Sequence, residues 1–164
     1  LSPVIELDFT DFDFHAIKQE LLNFGDSQVA LQGRFTDDHT GTGKICDLPD
    51  DETKYTVPLY PELTNTNKLM ASLGLYRSRL MTLNHKTCYT IHKDPSKRIH
   101  LPLQTTDRCL FVFLNGANYH LQEGKLYLVD TTKKHTAINA AKDPMQRIHL
   151  VGCLNVENFF SKKT

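Results

Sequence analysis

Apolar positions change their period partway along the chain. In "DFHAIKQELLNFG" (residues 13–25), Ile17, Leu21 and Phe24 share one face of a helix, with Asp13 as N-cap and Gly25 at the end. "PELTNTNKLMASLG" predicts a second helix, with Leu63, Leu69, Met70 and Leu73 inward and Gly74 as C-cap. Between them, Thr36–Glu52 is polar and rich in Gly and Asp, so it is expected to be a flexible lid or a surface loop. Its "TGTGK" lacks the spacing and the apolar strand of a phosphate loop.

From Leu75 onward the period shortens. "LYRSRLMTL", "CYTIH", "RIHLPL", "RCLFVFL", "YHLQ", "KLYLVD", "HTAIN" and "RIHLVGCL" follow one another as short β-like runs. Asn-Gly, Asp-Pro and Glu-Gly pairs separate them, and Asn115-Gly116 marks a hairpin. Strands at this spacing predict a sandwich or closed barrel. "VENFFSKK" predicts a short terminal helix. With no linker visible, one domain over residues 1–164 is expected, with a helical and loop part over 1–74 and a β core over 75–155.

"KDPSKRIHL" (Lys93–Leu101) and "KDPMQRIHL" (Lys142–Leu150) agree at seven of nine positions, 49 residues apart. Nothing flanking them recurs at that period, so they are expected to be two strands in equivalent places of a pseudo-symmetric β-fold, not units of a solenoid.

The 164 residues are 40% apolar, enough for a core that folds alone. Nineteen basic residues balance nineteen acidic ones, which argues against nucleic acid or an anionic membrane as partner and for a small or neutral one. The longest apolar run, "CLFVFL", is too short to span a bilayer, and the start has no signal-peptide pattern. Of the four cysteines, Cys88, Cys109 and Cys153 sit in strand-like runs and Cys46 does not; none forms a CxxC pair. Buried free thiols in a reducing cytoplasm are expected.

Side chains two apart on a strand face the same way, so His92 and Asp94 point together, as do Arg98 with His100 and Arg147 with His149. A single buried histidine is ordinarily core. Here a His-x-Asp, a distal His135 and two inward arginines fall on strands of one small domain. Burying two guanidinium groups is costly unless each meets an anion, and the aspartates on these strands are too few. A bound dicarboxylate would serve. Two histidines and a carboxylate are also the facial ligand set of non-haem Fe(II), which leaves three positions open.

Thr82–Leu154 resembles the aspartyl/asparaginyl β-hydroxylase family of Fe(II)/2-oxoglutarate oxygenases, which includes free-proline hydroxylases. The best matches are "HKDPSKRIHLPL" and "HTAINAAKDPMQRIHLVG", and Gly124, His135 and Asn139 keep the G-x10-H-x3-N spacing of the second cupin motif. Asp130 and Thr132 replace that motif's usual Pro and Gly. The resemblance implies a mainly β fold, a double-stranded β-helix (jelly-roll, cupin-like) with N-terminal helices packed outside. It implies His92, Asp94 and His135 as iron ligands and Arg147 as the partner of the distal carboxylate of 2-oxoglutarate. Arg98 and His100 match the pair beside the cosubstrate. A serine that helps hold that carboxylate in animal members aligns near Met81, so Thr82 or Arg79 would substitute. Where some members have Gly, this chain has Asp94, which favours the proline-hydroxylase-like branch. His149 has no role in the family pattern, and packing is its default.

The function implied is hydroxylation of a C–H bond, using Fe(II), 2-oxoglutarate and O2, in a free amino acid (proline first) or a peptidyl residue. The alternatives are a metal-binding cupin acting as isomerase or hydrolase, which would not need Arg147, and a non-enzymatic jelly-roll binding module. Tyr76, Arg77, Arg79, Asn84, His85, Arg108 and His120 are candidates for the mouth of the site.

Overall fold

The computed structural model describes residues 1–24 and 27–161. The elements in chain order are β1 (Val4–Glu6), α1 (Phe14–Leu21), β2 (Gln28–Ala30), β3 (Gln32–Gly33), β4 (Val57–Pro58), α2 (Thr64–Leu73) and β5 (Tyr76–Leu83). There follow β6 (Thr87–Cys88), β7 (Arg98–Gln104), β8 (Cys109–Phe113), β9 (Asn118–Tyr119), β10 (Tyr127–Val129), β11 (His135–Asn139), β12 (Arg147–Cys153) and α3 (Val156–Ser161). Gly25, the expected end of the first helix, and Lys162–Lys163 of the expected terminal helix lie outside the described residues.

The strand order shows the fold. One sheet runs β1-β10-β7-β12-β5-β2 and the other β6-β11-β8-β9, with a small β3-β4 pair besides. Along β5 to β12 the chain alternates between the two large sheets, staying in one only for the β8–β9 hairpin. That is the double-stranded β-helix, or jelly-roll. The hairpin turns where expected: Gly116 takes φ 87° and donates its N–H to Phe113 O at 2.9 Å. The strand runs match the sequence well except for two. "CYTIH" is a strand only at Thr87–Cys88, and "YHLQ" gives way to Asn118–Tyr119. β1 to β4 are too short to show a period, and the sequence does not announce them.

By contacts the chain divides into two compact units, residues 1–9 with 81–150 and residues 10–80 with 151–164. In the first, Leu83, Phe111, Phe113, Leu121, Tyr127, Val129 and Ala137 form a core drawn from both large sheets. β8 shows why: Cys109, Phe111 and Phe113 are buried at period two, while Leu110 and Val112 are half-buried. β1 extends the sheet by pairing Val4–Glu6 with Tyr127–Val129.

The second unit holds the helices. Asp13 caps α1 by accepting from Ala16 N at 3.0 Å, and Ile17 and Leu21 are buried as expected. Leu63, at the start of α2, offers no capping side chain. Glu20 of α1 supplies it instead, accepting from Asn65 N and Thr66 N at 2.8 and 3.0 Å. Gly74 ends α2 at φ 65°; its N–H reaches Ala71 O and that of Leu75 reaches Met70 O, a Schellman closure.

Arg77 corrects one expectation. It is 1% exposed, and so is no part of an open mouth. Its Nε donates to Gly41 O and its Nη2 to Gly43 O, both at 2.8 Å, and Nη1 lies 3.4 Å from Glu52. Thr36–Glu52 is further held by buried Asp38, which accepts from Arg34 N and Nε at 2.9 and 2.8 Å. Anchored at Asp38, Gly41, Gly43 and Glu52, this is a clamped loop.

The cysteines also differ from expectation. All four are free, but only Cys109 and Cys153 are buried; Cys46 and Cys88 are exposed. Among the described residues, no helix is long and apolar enough to cross a membrane.

Candidate active site

β11 is the rail on which the site is built. His135 opens it, facing Phe113 of β8 on one side and bridging His92 on the other. The His92 segment is not a regular strand. Cys88 pairs with Ile138 and His92 with His135, so four steps on one side oppose three on the other. The extra residue is a bulge, and it reverses the alternation between Tyr89 and His92. Cys88 is thereby left outside, while Tyr89 packs on the core and His92 stands beside His135. Asp94 follows, fixed by its N–H to Thr131 O at 2.8 Å. The expected common direction of His92 and Asp94 holds, but a bulge, one bridge and one backbone hydrogen bond produce it, not a strand.

One ligand atom from each of His92, Asp94 and His135 lies within 4.8 Å of the others. His92 Nε2 is 4.0 Å from Asp94 Oδ1, and His135 Nε2 is 3.9 Å from Asp94 Oδ2. Both tautomers are determined by the backbone. His92 Nδ1 meets Thr90 O at 2.7 Å and His135 Nδ1 meets Lys133 O at 2.8 Å. A carbonyl only accepts, so each Nδ1 carries the proton and each Nε2 turns a lone pair toward the cluster. Burial, with the charges of His92 and Arg98 adding to it, pushes His135 below the usual imidazole range, which keeps it a neutral donor. Exposure is graded: the side chain of His92 is 40% exposed, that of Asp94 22% and that of His135 4%. The cluster therefore has one open side.

The arginines are buried on adjacent strands of the larger sheet. Arg98, 2% exposed, lies 3.8 Å from Asp94 Oδ1 and donates to Ser96 Oγ at 2.5 Å. Arg147, 3% exposed, has no such partner: its Nε meets no acceptor, and no acidic side chain pairs with it among the described residues. Burial pulls its guanidinium below the usual value, opposed only by Tyr89 and Cys109. Thr82 is buried on β5, which neighbours β12, and its Oγ1 is likewise unpartnered. The hydroxyl of Tyr89 is buried and unpartnered too.

The two echoing strands are neighbours, β7 beside β12, and place His100 and His149 against each other with Nδ1 atoms 3.1 Å apart. The sequence missed this contact and Tyr89. The 49-residue echo was the signal for the first, while the bulge hid the second.

The candidates for a mouth disperse. Tyr76 is half-buried, and Arg79 is buried with Nη1 on Gln28 Oε1 at 3.2 Å. Asn84 accepts from Gln146 Nε2 at 3.1 Å, His85 Nε2 meets Ala141 O at 2.7 Å, and Arg108 Nε donates to Ala140 O at 3.1 Å. His120 Nδ1 faces Cys109 O at 3.3 Å. Of the motif residues, Asn139 is wholly buried and ties β11 to Leu83 O and Met145 O at 3.0 and 2.9 Å, a structural duty.

A jelly-roll carrying two histidines and a carboxylate on one open-sided cluster defines a cupin-like protein with a candidate metal site. Residues 11–154 match the aspartyl/asparaginyl β-hydroxylase family, and the chain belongs to it. No curated protein matches the chain in sequence. Among solved structures it is similar to a Pseudomonas putida prolyl-4-hydroxylase, at 13% identity and a TM-score of 0.45, over 92% of this chain and 91% of that one. It is also similar to Rhodobacter sphaeroides SigE in complex with the anti-sigma ChrR, at 17% identity and a TM-score of 0.34, over 46% of this chain and 37% of that one. The chain thus spans little more than a third of the latter's length. The fold assignment rests on the strand order of this chain.

Proposed function

We propose that the chain is an Fe(II)- and 2-oxoglutarate-dependent dioxygenase that hydroxylates a C–H bond of a free amino acid, proline first, or of a peptidyl residue. The observation that carries this is the pairing of two features in one unit. One is a His92-Asp94-His135 cluster with both Nε2 lone pairs turned inward. The other is a buried Arg147 that meets no carboxylate among the described residues.

The residues fit the groups. His92, Asp94 and His135 would hold the iron, a donor set suited to a divalent ion with positions left open. Arg147 would hold the far carboxylate of 2-oxoglutarate, with Thr82, Arg98 and His100 as further cosubstrate-binding residues. When bound, iron, 2-oxoglutarate and O2 together supply oxidative decarboxylation to succinate and CO2 coupled to C–H hydroxylation. The chain itself fixes both imidazole tautomers, keeps His135 neutral, and lines the cosubstrate end with buried donors so that water is excluded there.

An uncharged overall balance supports a small amino acid or short peptide segment as partner, with neither nucleic acid nor membrane involved. Four free thiols support a reducing, cytoplasmic setting. The test is incubation with Fe(II), 2-oxoglutarate and a panel of amino acids and peptides under labelled O2. One labelled oxygen in the product and one in succinate is the expected result. Turnover without oxygen consumption would sink the proposal.

A further inference from the structure

His149 is 2% exposed and sits two residues beyond Arg147 on the same face of β12. Its Nδ1 is 3.1 Å from Nδ1 of His100, and its Nε2 is buried with no partner. One nitrogen of His149 is thus committed and the other is a buried polar atom without a partner, as is the Nε of Arg147 two residues before it. The two residues lie close enough that the Arg147 charge depresses the His149 pKa, after burial itself.

An Nδ1···Nδ1 contact holds one proton, so one ring donates and the other accepts. If His149 donated, its Nε2 would be a buried lone pair with no donor in reach. If His100 donates, His149 carries its proton on Nε2. That makes Nε2 a buried, unpartnered donor on the same strand face as Arg147, whose Nε is another, as a bound anion requires. We infer that His149 is a binding residue: its Nε2–H donates to the carboxylate held by Arg147, and His100 Nδ1–H sets the tautomer that allows it. The echo of the two RIHL strands thereby acquires a purpose, since their histidines form one donor chain. This assignment rests on the proposed use of 2-oxoglutarate.

Two probes separate the assignment from that reading: 2-oxoglutarate with Fe(II) in the absence of O2, and succinate alone, which has the far carboxylate but no chelating keto acid. Affinities for both are measured by calorimetry on the full chain. Removing one hydrogen bond to a charged group should weaken binding about tenfold or more. His149→Phe should show that loss for both probes. His149→Gln, whose amide nitrogen falls near Nε2, should recover most of it, while His149→Asn, whose nitrogen falls near Nδ1, should not. Imidazole 15N–1H correlation spectra of the unmutated chain provide a readout that no folding defect can confuse. They should show the proton of His149 on Nε2 and that of His100 on Nδ1, with the His149 resonance moving on succinate addition.

Affinities in His149→Phe within twofold of the parent would overturn the assignment while leaving the dioxygenase reading intact. So would a His149 proton found on Nδ1. Failure of the parent chain to bind 2-oxoglutarate with Fe(II) would overturn both.

Discussion

His92 and His135 exchange backbone hydrogen bonds in both directions, His92 N–H to His135 O at 3.0 Å and His135 N–H to His92 O at 2.9 Å. The bridge locks together two residues 43 positions apart, and their rings stand 4.6 Å centre to centre. The separation of the two imidazoles is thus a backbone property. Because each Nδ1 is also bound to the carbonyl two residues back, the rings cannot swivel freely.

The proposed Fe(II) site is tested at these ligands. His135→Ala should reduce the metal content from one ion per chain to none detectable by anaerobic calorimetry, with turnover lost. Asp94→Asn keeps the shape and removes the charge, so it should bind more weakly without abolishing binding. Full stoichiometry in His135→Ala would contradict the ligand assignment.

Arg147 offers a planar fork where lysine offers a point charge. Arg147→Lys should raise the KM for 2-oxoglutarate about ten- to a hundredfold, the loss expected for a charge-assisted hydrogen bond, with a smaller effect on kcat. Arg98 already has Asp94 and Ser96 as neighbours, so Arg98→Lys should raise it less. Steady-state kinetics at saturating substrate decides between them.

In the second unit, Arg77 holds a backbone φ of 47°, unusual for a residue with a side chain, and gives its guanidinium to two carbonyls and to Glu52. Removing one member of a buried ion pair costs about 3–5 kcal/mol. Arg77→Gln should therefore lower the urea midpoint strongly while the metal affinity of the surviving folded protein stays unchanged. A loss below 1 kcal/mol (about a fivefold change in folding equilibrium) would show that the clamp is dispensable.

Asp38 predicts acid sensitivity. Hydrogen bonds from Arg34 first, and then from Thr40, hold its carboxyl well below the usual range. With the folded pKa depressed, the contribution is complete above the unfolded value, about 3.9, and is lost as pH falls through the folded one. The stability gap between the parent and Asp38→Asn should be widest at neutral pH and should shrink steadily below about pH 4. Urea midpoints across that range measure it, and a gap independent of pH would refute the assignment.

Thiol accessibility gives a simple check on the bulge. Cys88 and Cys46 should react with a thiol reagent in the folded protein, whereas Cys109 and Cys153 should react only on unfolding. Protection of Cys88 would place the His92 segment in another register.

Local patterns in the chain were enough to determine the helices, their caps at Asp13 and Gly74, and the β8–β9 hairpin. Each depends on residues within a turn or two of one another. They also exposed the His-x-Asp, the distal His135 and the two RIHL strands, because period two and residue type are both visible in one dimension. What they could not determine rests on residues brought together from afar. The bulge that turns His92 inward exists only as a mismatch of four steps against three between segments some fifty residues apart. Arg77 reads as a surface cation until Gly41, Gly43 and Glu52 surround it. His149 reads as packing until β12 lies beside β7 and brings His100 to 3.1 Å. Burial and pairing are relations between strands, and only the folded sheet order sets them.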